Sequence, residues 1–226
     1  MAIKENLERI RENIEKACLR AKRDPQQVQI LAVCKDQGPE KIEQVLDLGV
    51  RLLGENKIQE SEMHMKHFAN FKIDWHFIGK LQKNKINKVL AMFHFIESVD
   101  GVKSLEHIHK RVNEPVEVFI EINIGEEKSK SGFTTEGFKK AIPYIANLNK
   151  VAVSGLMAVP PYFEDAEKVR PYFSRLRELQ NVINQMAIPN LKISHLSMGM
   201  SHDYEVAAEE GATIVRIGTA LFGRRK

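Results

Sequence analysis

Short apolar runs rich in Val, Ile and Phe alternate with longer segments of helical period along most of this chain. Strict alternation of strand and helix favours one parallel sheet, because each helix must carry the chain back across the sheet. Eight strands within about 200 residues are typical of a closed (β/α)8 barrel of the TIM type. The eight predicted strands are Val28 to Cys34, Arg51 to Gly54, Trp75 to Ile78, Phe93 to Val99, Val116 to Ile124, Val151 to Val159, Lys192 to Ser197 and Ala212 to Ile217.

The segments between these runs repeat apolar residues every three or four positions, as amphipathic helices do. An additional helix is predicted ahead of the first strand, within residues 1–24, where Ile3, Leu7 and Ile10 share one face. A doubly wound open sheet is the alternative, but that fold more often carries a dinucleotide glycine fingerprint, which is absent here. The other predicted helices lie at 39–49, 56–69, 82–91, 101–111, 135–148, 164–186 and 202–210, with a short last helix from Thr219.

Length and composition predict one α/β domain spanning residues 1–226. The chain has 43% hydrophobic residues, enough for one sizeable core. Its formal net charge is only +4, with both signs interspersed, which argues against a nucleic-acid partner or a membrane surface. The two cysteines, Cys18 and Cys34, form no CxxC pair and favour a reducing compartment. With no apolar signal segment at the N-terminus, we expect a cytoplasmic protein, monomeric or at most a weak dimer.

Two glycine-bearing turns near the C-terminus each leave an apolar run and enter a helical one. They are Ser194-His-Leu-Ser-Met-Gly-Met-Ser201 and Val215-Arg-Ile-Gly-Thr-Ala-Leu-Phe-Gly223. Glycine lets a backbone approach an anion, hydroxyl groups donate hydrogen bonds, and a helix start offers free N–H groups. In a TIM barrel, phosphate commonly binds the loops after strands seven and eight, and these turns occupy those two positions. The pair therefore predicts a phosphate cradle.

Lys35 follows the first predicted strand, which places an amine at the barrel mouth beside the phosphate cradle. A partly desolvated lysine is a nucleophile toward aldehydes, and an aldehyde that carries a phosphate points to pyridoxal 5'-phosphate held as a Schiff base. Arg216, two residues before Gly218, is placed to reach the pyridine nitrogen. Because arginine only donates hydrogen bonds, it suits an unprotonated nitrogen and leaves the ring a weak electron sink. An outer salt bridge is the alternative role for Arg216.

Seven segments of the chain, in order and over essentially its whole length, resemble the pyridoxal phosphate homeostasis protein family, which is similar to the N-terminal barrel of alanine racemase. The family usually has serine before the lysine and threonine after it, where this chain has Cys34 and Asp36. Asp36 would bring a carboxylate beside the lysine. The matching segments are Leu31-Ala-Val-Cys-Lys35, Gly54-Glu-Asn56, Trp75 to Lys85, Ile122 to Phe133, Gly155 to Pro161, Leu196 to Ser201 and Val215 to Thr219.

The resemblance implies a fold-type III barrel that binds pyridoxal phosphate covalently through Lys35. It also implies that Ser201, Gly218 and Thr219 contact the phosphate and that Arg216 lies near the ring nitrogen. Three further residues at strand ends, Asn56, His76 and Met157, are expected to line the pocket, with packing in the barrel core as the alternative.

Two functions fit this constellation. The first is a carrier that buffers and delivers pyridoxal phosphate to apo-enzymes, maintaining vitamin B6 and amino-acid balance without robust catalysis. The second is an amino-acid racemase, which needs a base on each face of the cofactor. In the alanine racemase family a tyrosine from a C-terminal domain supplies the second base. Because the chain ends at Lys226, soon after the eighth strand, we expect that domain to be absent and favour the carrier.

Four other features carry weaker expectations. His64 and His67 are three residues apart without other ligands nearby, so a metal site is not expected there. The basic stretch Lys80 to Lys88 lacks interleaved aromatic residues and fits a solvated face better than an RNA contact. Lys130 follows the fifth strand near the barrel mouth and is an open candidate for ligand transfer, and His195 is expected to pack within a strand.

Overall fold

Eight parallel strands close into a barrel in chain order, with β8 pairing back onto β1. The structure, a computed structural model, describes residues 2–223. Met1 and residues 224–226 lie outside the described residues, so the single domain over residues 1–226 stays a prediction. The barrel itself is confirmed. Its strands are β1 Gln29–Val33, β2 Leu52–Glu55, β3 Asp74–Phe77, β4 Phe95–Val99, β5 Val116–Glu121, β6 Val151–Met157, β7 Leu191–Ser197 and β8 Ile214–Ile217.

Helices follow the strands and cover the outside of the barrel. Two predicted helices, at 82–91 and 164–186, begin instead as 3-10 turns at Lys83–Lys85 and Ala166–Val169. The helix predicted to reach residue 148 ends at Ile145. Beyond it, backbone amides donate to the carbonyl three residues earlier instead of four, as in a 3-10 turn. The helices are α1 Ala2–Arg20, α2 Pro39–Asp47, α3 Ile58–His67, α4 Ile86–Met92, α5 Val102–His109, α6 Thr135–Ile145, α7 Arg170–Gln185, α8 Tyr204–Glu209 and α9 Thr219–Phe222.

The additional helix α1 is present as predicted and joins the two ends of the described chain. Its buried stripe includes Ile3, Leu7 and Ile10, and each such side chain contributes about 1.5–3 kcal/mol to stability. Asn6 Nδ2 donates to the Leu221 carbonyl at 3.0 Å, and Asn13 Nδ2 donates to Tyr204 Oη at 2.9 Å. These bonds hold α8, which follows the first glycine turn, and α9, which lies in the second, against α1.

A small apolar cluster fills the inside of the barrel, separate from the larger core between strands and helices. Its buried members are Leu31, Leu52, Phe119, Met157 and Ile214. Gly155 makes room for the Phe119 ring, because a Cβ at that glycine would lie 2.6 Å from the ring. The cluster closes the barrel below its carboxyl end, so polar groups inside the barrel are cut off from bulk solvent.

Candidate functional site

A cavity of about 400 Å³ opens at the carboxyl ends of β1, β6 and β8. It falls in the size range of small-molecule sites, and this end of a TIM barrel is where such sites form. Six of the eight predicted site residues line it together: Lys35, Met157, Ser201, Arg216, Gly218 and Thr219. The cavity therefore brings an amine, a guanidinium and both glycine turns around one space.

Lys35 is half-buried at the start of the turn that leaves β1. The Gln37 amide donates to the Cys34 carbonyl at 3.0 Å, so Lys35 and Asp36 are the two central residues of a tight turn. Asp36 has a φ of 58°, a left-handed conformation that aspartate adopts more readily than most residues. This turn directs the chain away from the barrel directly after the lysine.

Helix α3 holds this turn from outside the barrel. Glu60 Oε2 accepts a hydrogen bond from the Asp36 amide at 3.0 Å. Lys57 Nζ donates to Asp36 Oδ1 at 3.0 Å and to Glu60 Oε1 at 2.7 Å. The carboxylate expected beside Lys35 is thus engaged in an exposed ion-pair network with α3.

The two glycine turns are joined to each other. The Arg216 amide donates to the Gly199 carbonyl at 2.9 Å, and the Ala220 amide donates to Ser201 Oγ at 3.0 Å. The buried carboxylate of Asp203 accepts from the Met200 amide at 2.6 Å, and burial raises its pKa. These bonds place the Ser201 hydroxyl beside the first turn of α9.

Gly199 in the first turn and Gly218 in the second have different physical roles. Gly199 has a φ of 90°, and a Cβ there would lie 2.4 Å from the Ala207 Cβ, so this glycine is needed for packing against α8. Gly199 is not among the residues that line the cavity. Gly218 does line it, and a Cβ there would meet only Val33, at 3.7 Å. The open space beside Gly218 belongs to the cavity.

Arg216 lies at 5% exposure inside the barrel and does not form the outer salt bridge considered as its alternative. Nη1 donates to the Ser197 carbonyl at 2.6 Å and to Ser197 Oγ at 2.7 Å. Nη2 donates to the Ala158 carbonyl at 2.9 Å. Burial lowers the pKa of Arg216, and the nearby carboxylates of Glu97, Asp203 and Glu121 oppose that shift.

A buried carboxylate, Glu97, stands behind this arginine. Ser197 Oγ donates to Glu97 Oε2 and His76 Nδ1 donates to Glu97 Oε1, both at 2.6 Å. Burial alone would raise the pKa of Glu97. The hydrogen bonds from His76 and Ser197 and the positive charge of Arg216 reverse that effect, so the pKa lies below its usual value. A chain of polar side chains therefore crosses the barrel from Arg216 to His76.

The remaining two predicted residues do not line the cavity. His76 is buried inside the barrel and stacks on Phe95 with ring centroids 4.6 Å apart. Asn56 directly follows β2, against Gly79. Among the residues that the structure describes, neither His76 Nε2 nor the buried Asn56 Oδ1 has a hydrogen-bond partner. Contact of either residue with a ligand stays a prediction.

Residues 6–226 match the family model described as alanine racemase, N-terminal domain. A pyridoxal phosphate homeostasis protein of Aquifex aeolicus is 44% identical over 225 residues, covering 98% of each chain. A protein of Bifidobacterium adolescentis has a crystal structure with a TM-score of 0.90 at 34% identity, covering 97% of this chain and 94% of that one.

A second solved structure is that of PipY from Synechococcus elongatus with pyridoxal phosphate bound. It matches at a TM-score of 0.80 and 30% identity, over 95% of this chain and 100% of that one. The chain belongs to the pyridoxal phosphate homeostasis protein family. The resemblance drawn from its sequence motifs is confirmed.

In this family member the sequence reasoning missed Glu97 and Ser197. Both lie in predicted strands. The sequence feature that could have revealed Glu97 is a charged residue within an otherwise largely apolar run, Phe95-Ile-Glu-Ser-Val99. An acidic residue in a buried parallel strand needs an internal partner, and Arg216 in Ile214-Val-Arg-Ile217 was the opposite charge in an equally apolar run. Sequence spacing does not reveal that the two strands face each other across a barrel.

A second buried pair was also missed. Glu55, at the end of β2, accepts a hydrogen bond from His64 Nδ1 on α3 at 2.7 Å. Burial raises the pKa of Glu55, and His64 opposes that shift. The hydrogen bond to Glu55 raises the pKa of His64, and burial opposes it. His64, weighed above with His67 as a metal ligand, is therefore paired within the fold of this family member.

Two other residues singled out in the sequence now have positions in the structure. Lys130 Nζ pairs with Glu127 Oε1 at 2.5 Å and donates to the Val159 and Pro160 carbonyls at 3.2 and 3.0 Å. Since Val159 lines the cavity, Lys130 holds one of its walls. His195 stacks on Phe119, with ring centroids 5.5 Å apart. Among residues 2–223, no helix has the length and apolar character that crossing a bilayer requires.

Proposed function

We propose that this protein binds pyridoxal 5'-phosphate in the cavity at the carboxyl end of the barrel and serves as its carrier. The observation that carries the proposal is the meeting of Lys35, Arg216 and both glycine turns around one space. The relatives named pyridoxal phosphate homeostasis protein and the pyridoxal phosphate bound in PipY support it. In this role the protein buffers the aldehyde, delivers it to apo-enzymes and maintains vitamin B6 and amino-acid balance.

The phosphate is proposed to bind at Ser201, Gly218 and Thr219. Two hydroxyl groups and the free backbone N–H groups beside them match the donors that a phosphate dianion needs. The space beside Gly218, which a Cβ would partly fill, lets a phosphate approach the backbone. The phosphate-binding residues thus come from the loops after β7 and β8.

The ring and aldehyde are proposed to lie between Lys35 and Arg216. Lys35 is assigned the Schiff base because it is the lysine that lines the cavity among the described residues. Met157 packs beside the ring. The unpaired Oδ1 of Asn56 is an acceptor for the phenolic O3', and His76 supports the ring from inside the barrel. These assignments account for all eight predicted site residues.

We further propose that the protein does not use this cofactor for robust catalysis. Bound pyridoxal phosphate supplies an aldehyde that condenses with amines and a ring that delocalises carbanion charge. Arg216 offers only hydrogen-bond donors to the ring nitrogen, so that nitrogen is held unprotonated and charge delocalisation is weak. Among the described residues, no tyrosine lines the cavity as a second base. A carrier fits these features better than a racemase. We propose that it acts in the cytoplasm, as a monomer or at most a weak dimer.

Lys35→Ala tests the proposal, with Lys80→Ala as a matched control. Lys80 is an exposed lysine at the same end of the barrel that does not line the cavity. Borohydride reduction of the protein with pyridoxal phosphate, followed by peptide mass mapping, should label Lys35 in the wild type and in Lys80→Ala. Lys35→Ala should lose the label and the visible absorbance while keeping its far-ultraviolet circular dichroism. Labelling that spares Lys35, or racemisation of an amino acid at an ordinary enzymatic rate that Lys35→Ala abolishes, would overturn the carrier assignment.

A further inference from the structure

Four buried side chains form a continuous hydrogen-bonded chain across the inside of the barrel. Arg216 on β8 donates to Ser197 Oγ on β7, Ser197 Oγ donates to Glu97 on β4, and His76 on β3 donates to the other oxygen of Glu97. Glu97 and Ser197 are 0% exposed. This hydrogen-bonded series of side chains joins strands that are distant in sequence. It ends at Arg216, the member of the series that lines the cavity.

The direction of the hydrogen bonds in this chain is fixed by chemistry. A guanidinium has no acceptor, so the Ser197 oxygen must accept from Arg216 Nη1. The single O–H of Ser197 cannot donate to Arg216, so it donates to Glu97 Oε2, which lies 2.6 Å away. A carboxylate at Glu97 is the acceptor that orients the Ser197 hydroxyl, and this orientation presents the serine lone pair to Arg216.

The same bonds decide which donors of Arg216 remain for a ligand. Of its five N–H groups, two on Nη1 bind Ser197 and one on Nη2 binds the Ala158 carbonyl. Within residues 2–223, the Nε–H and the second Nη2–H have no protein acceptor. Both oxygens of Glu97 are already engaged, so Glu97 serves Arg216 rather than the ligand.

We propose that Glu97, acting through Ser197, is a positioning residue that holds the guanidinium of Arg216 toward the pyridine nitrogen of the bound cofactor. This inference rests on the proposed binding of pyridoxal phosphate. Fixing a side chain before the ligand arrives removes the rotamer entropy that binding would otherwise cost. Glu97 also neutralises a buried charge that would otherwise be unpaired. The affinity that Glu97 confers is therefore specific to ligands with an acceptor at the ring nitrogen.

The test compares pyridoxal phosphate with 1-deazapyridoxal 5'-phosphate, which keeps the aldehyde and the phosphate but has C–H in place of the ring nitrogen. Dissociation constants are measured by spectroscopic titration for the wild type, Glu97→Gln and Ser197→Ala. Loss of one oriented, charge-assisted hydrogen bond weakens binding by about tenfold or more. We expect both variants to bind pyridoxal phosphate about tenfold more weakly and to bind the deaza analogue as the wild type does.

Ser61→Ala is the matched control. Ser61, on α3, is also 0% exposed and donates a hydrogen bond at 2.7 Å to the carbonyl of Lys57, the residue before that helix. No hydrogen bond among the described residues links Ser61 to Arg216. It should lose stability as Ser197→Ala does and keep both ligand affinities. Ser197→Ala retains both buried charges and so gives a second measurement if Glu97→Gln does not fold.

Each outcome decides between the two proposals. Equal weakening of both ligands in Ser197→Ala would mean that the hydroxyl only supports the fold, and unchanged binding of both would mean that Arg216 needs no positioning. Either result overturns the inference and leaves the carrier proposal intact. A wild-type protein that binds neither ligand would instead overturn the carrier proposal, and the role of Glu97 with it.

Discussion

Two carboxylate–histidine pairs are buried in this protein, and their environments have opposite effects on the carboxylate. Glu55 and His64 lie outside the barrel, between β2 and α3, and Glu97 and His76 lie inside it. Both carboxylates are 0% exposed, and both accept from Nδ1 at closely similar distances, 2.7 and 2.6 Å. Burial raises the pKa of Glu55, whereas the pKa of Glu97 lies below its usual value.

The difference lies in what the second oxygen of each carboxylate contacts. Within residues 2–223, Oε2 of Glu55 has no hydrogen-bond partner, and the charges of Glu60 and Asp36 nearby are also negative. Oε2 of Glu97 accepts from Ser197, and the nearby charge is that of Arg216. Depth of burial alone therefore does not set the direction in which the pKa of a buried carboxylate shifts. The number of donors and the sign of the neighbouring charge decide it.

The largest effect is expected when Arg216 is removed. Arg216→Met leaves the charge of Glu97 buried without a cation, and breaking a buried pair in this way costs about 3–5 kcal/mol of unfolding free energy. Urea unfolding of the ligand-free protein, followed by circular dichroism, measures the loss. The double variant Arg216→Met with Glu97→Gln should recover most of it. A single variant as stable as the wild type would mean that Glu97 is not held as the anion.

A smaller effect separates the two carboxylates themselves. Glu97→Gln replaces a carboxylate that accepts a hydrogen bond at each oxygen. It should lower the unfolding free energy by about 1–3 kcal/mol at pH 7. Glu55→Gln replaces a carboxyl group with an unpartnered oxygen and should change the unfolding free energy by less than about 1 kcal/mol. The same urea titrations compare the two variants. Equal losses of unfolding free energy in the two variants would mean that the two carboxylates contribute alike to stability.

The smallest effect is on the pH dependence of stability. The pKa of His64 is raised in the folded state. The stability that protonated His64 contributes is therefore fully present below the ordinary histidine pKa of about 6.5, and it is lost as the pH rises through the folded-state pKa. His64→Gln should therefore flatten the decline of unfolding free energy above about pH 6.5. His67→Gln, an exposed histidine on the same helix, is the control and should retain the wild-type slope. A flattened slope in the control would assign the decline to helix α3 as a whole.

Much of the fold was predictable because its signals are local. Each strand is an apolar run, each helix has its own periodicity, and the count of both predicts the barrel. The cavity followed from the same count, since it assigns Lys35 and the two glycine turns to one end. Glu97 and Ser197 were not predictable in this way, because they are 100 residues apart and meet only where β4 and β7 face each other across the barrel. The contact of Gly199 with Ala207 was not predictable either, because it depends on how α8 packs.

The pairing of β8 with β1 has a consequence for synthesis on the ribosome. The cavity takes Lys35 from the start of the chain and Arg216, Gly218 and Thr219 from its end, and α1 is bonded to α9 across 215 positions. Contacts of such long sequence separation form late in folding. A nascent chain that still lacks β8 has an open sheet edge and an incomplete cavity, without Arg216, Gly218 and Thr219. Closure of the barrel thus precedes completion of the cavity, and the fluorescence of pyridoxal phosphate added during translation would report that closure if the proposed function holds.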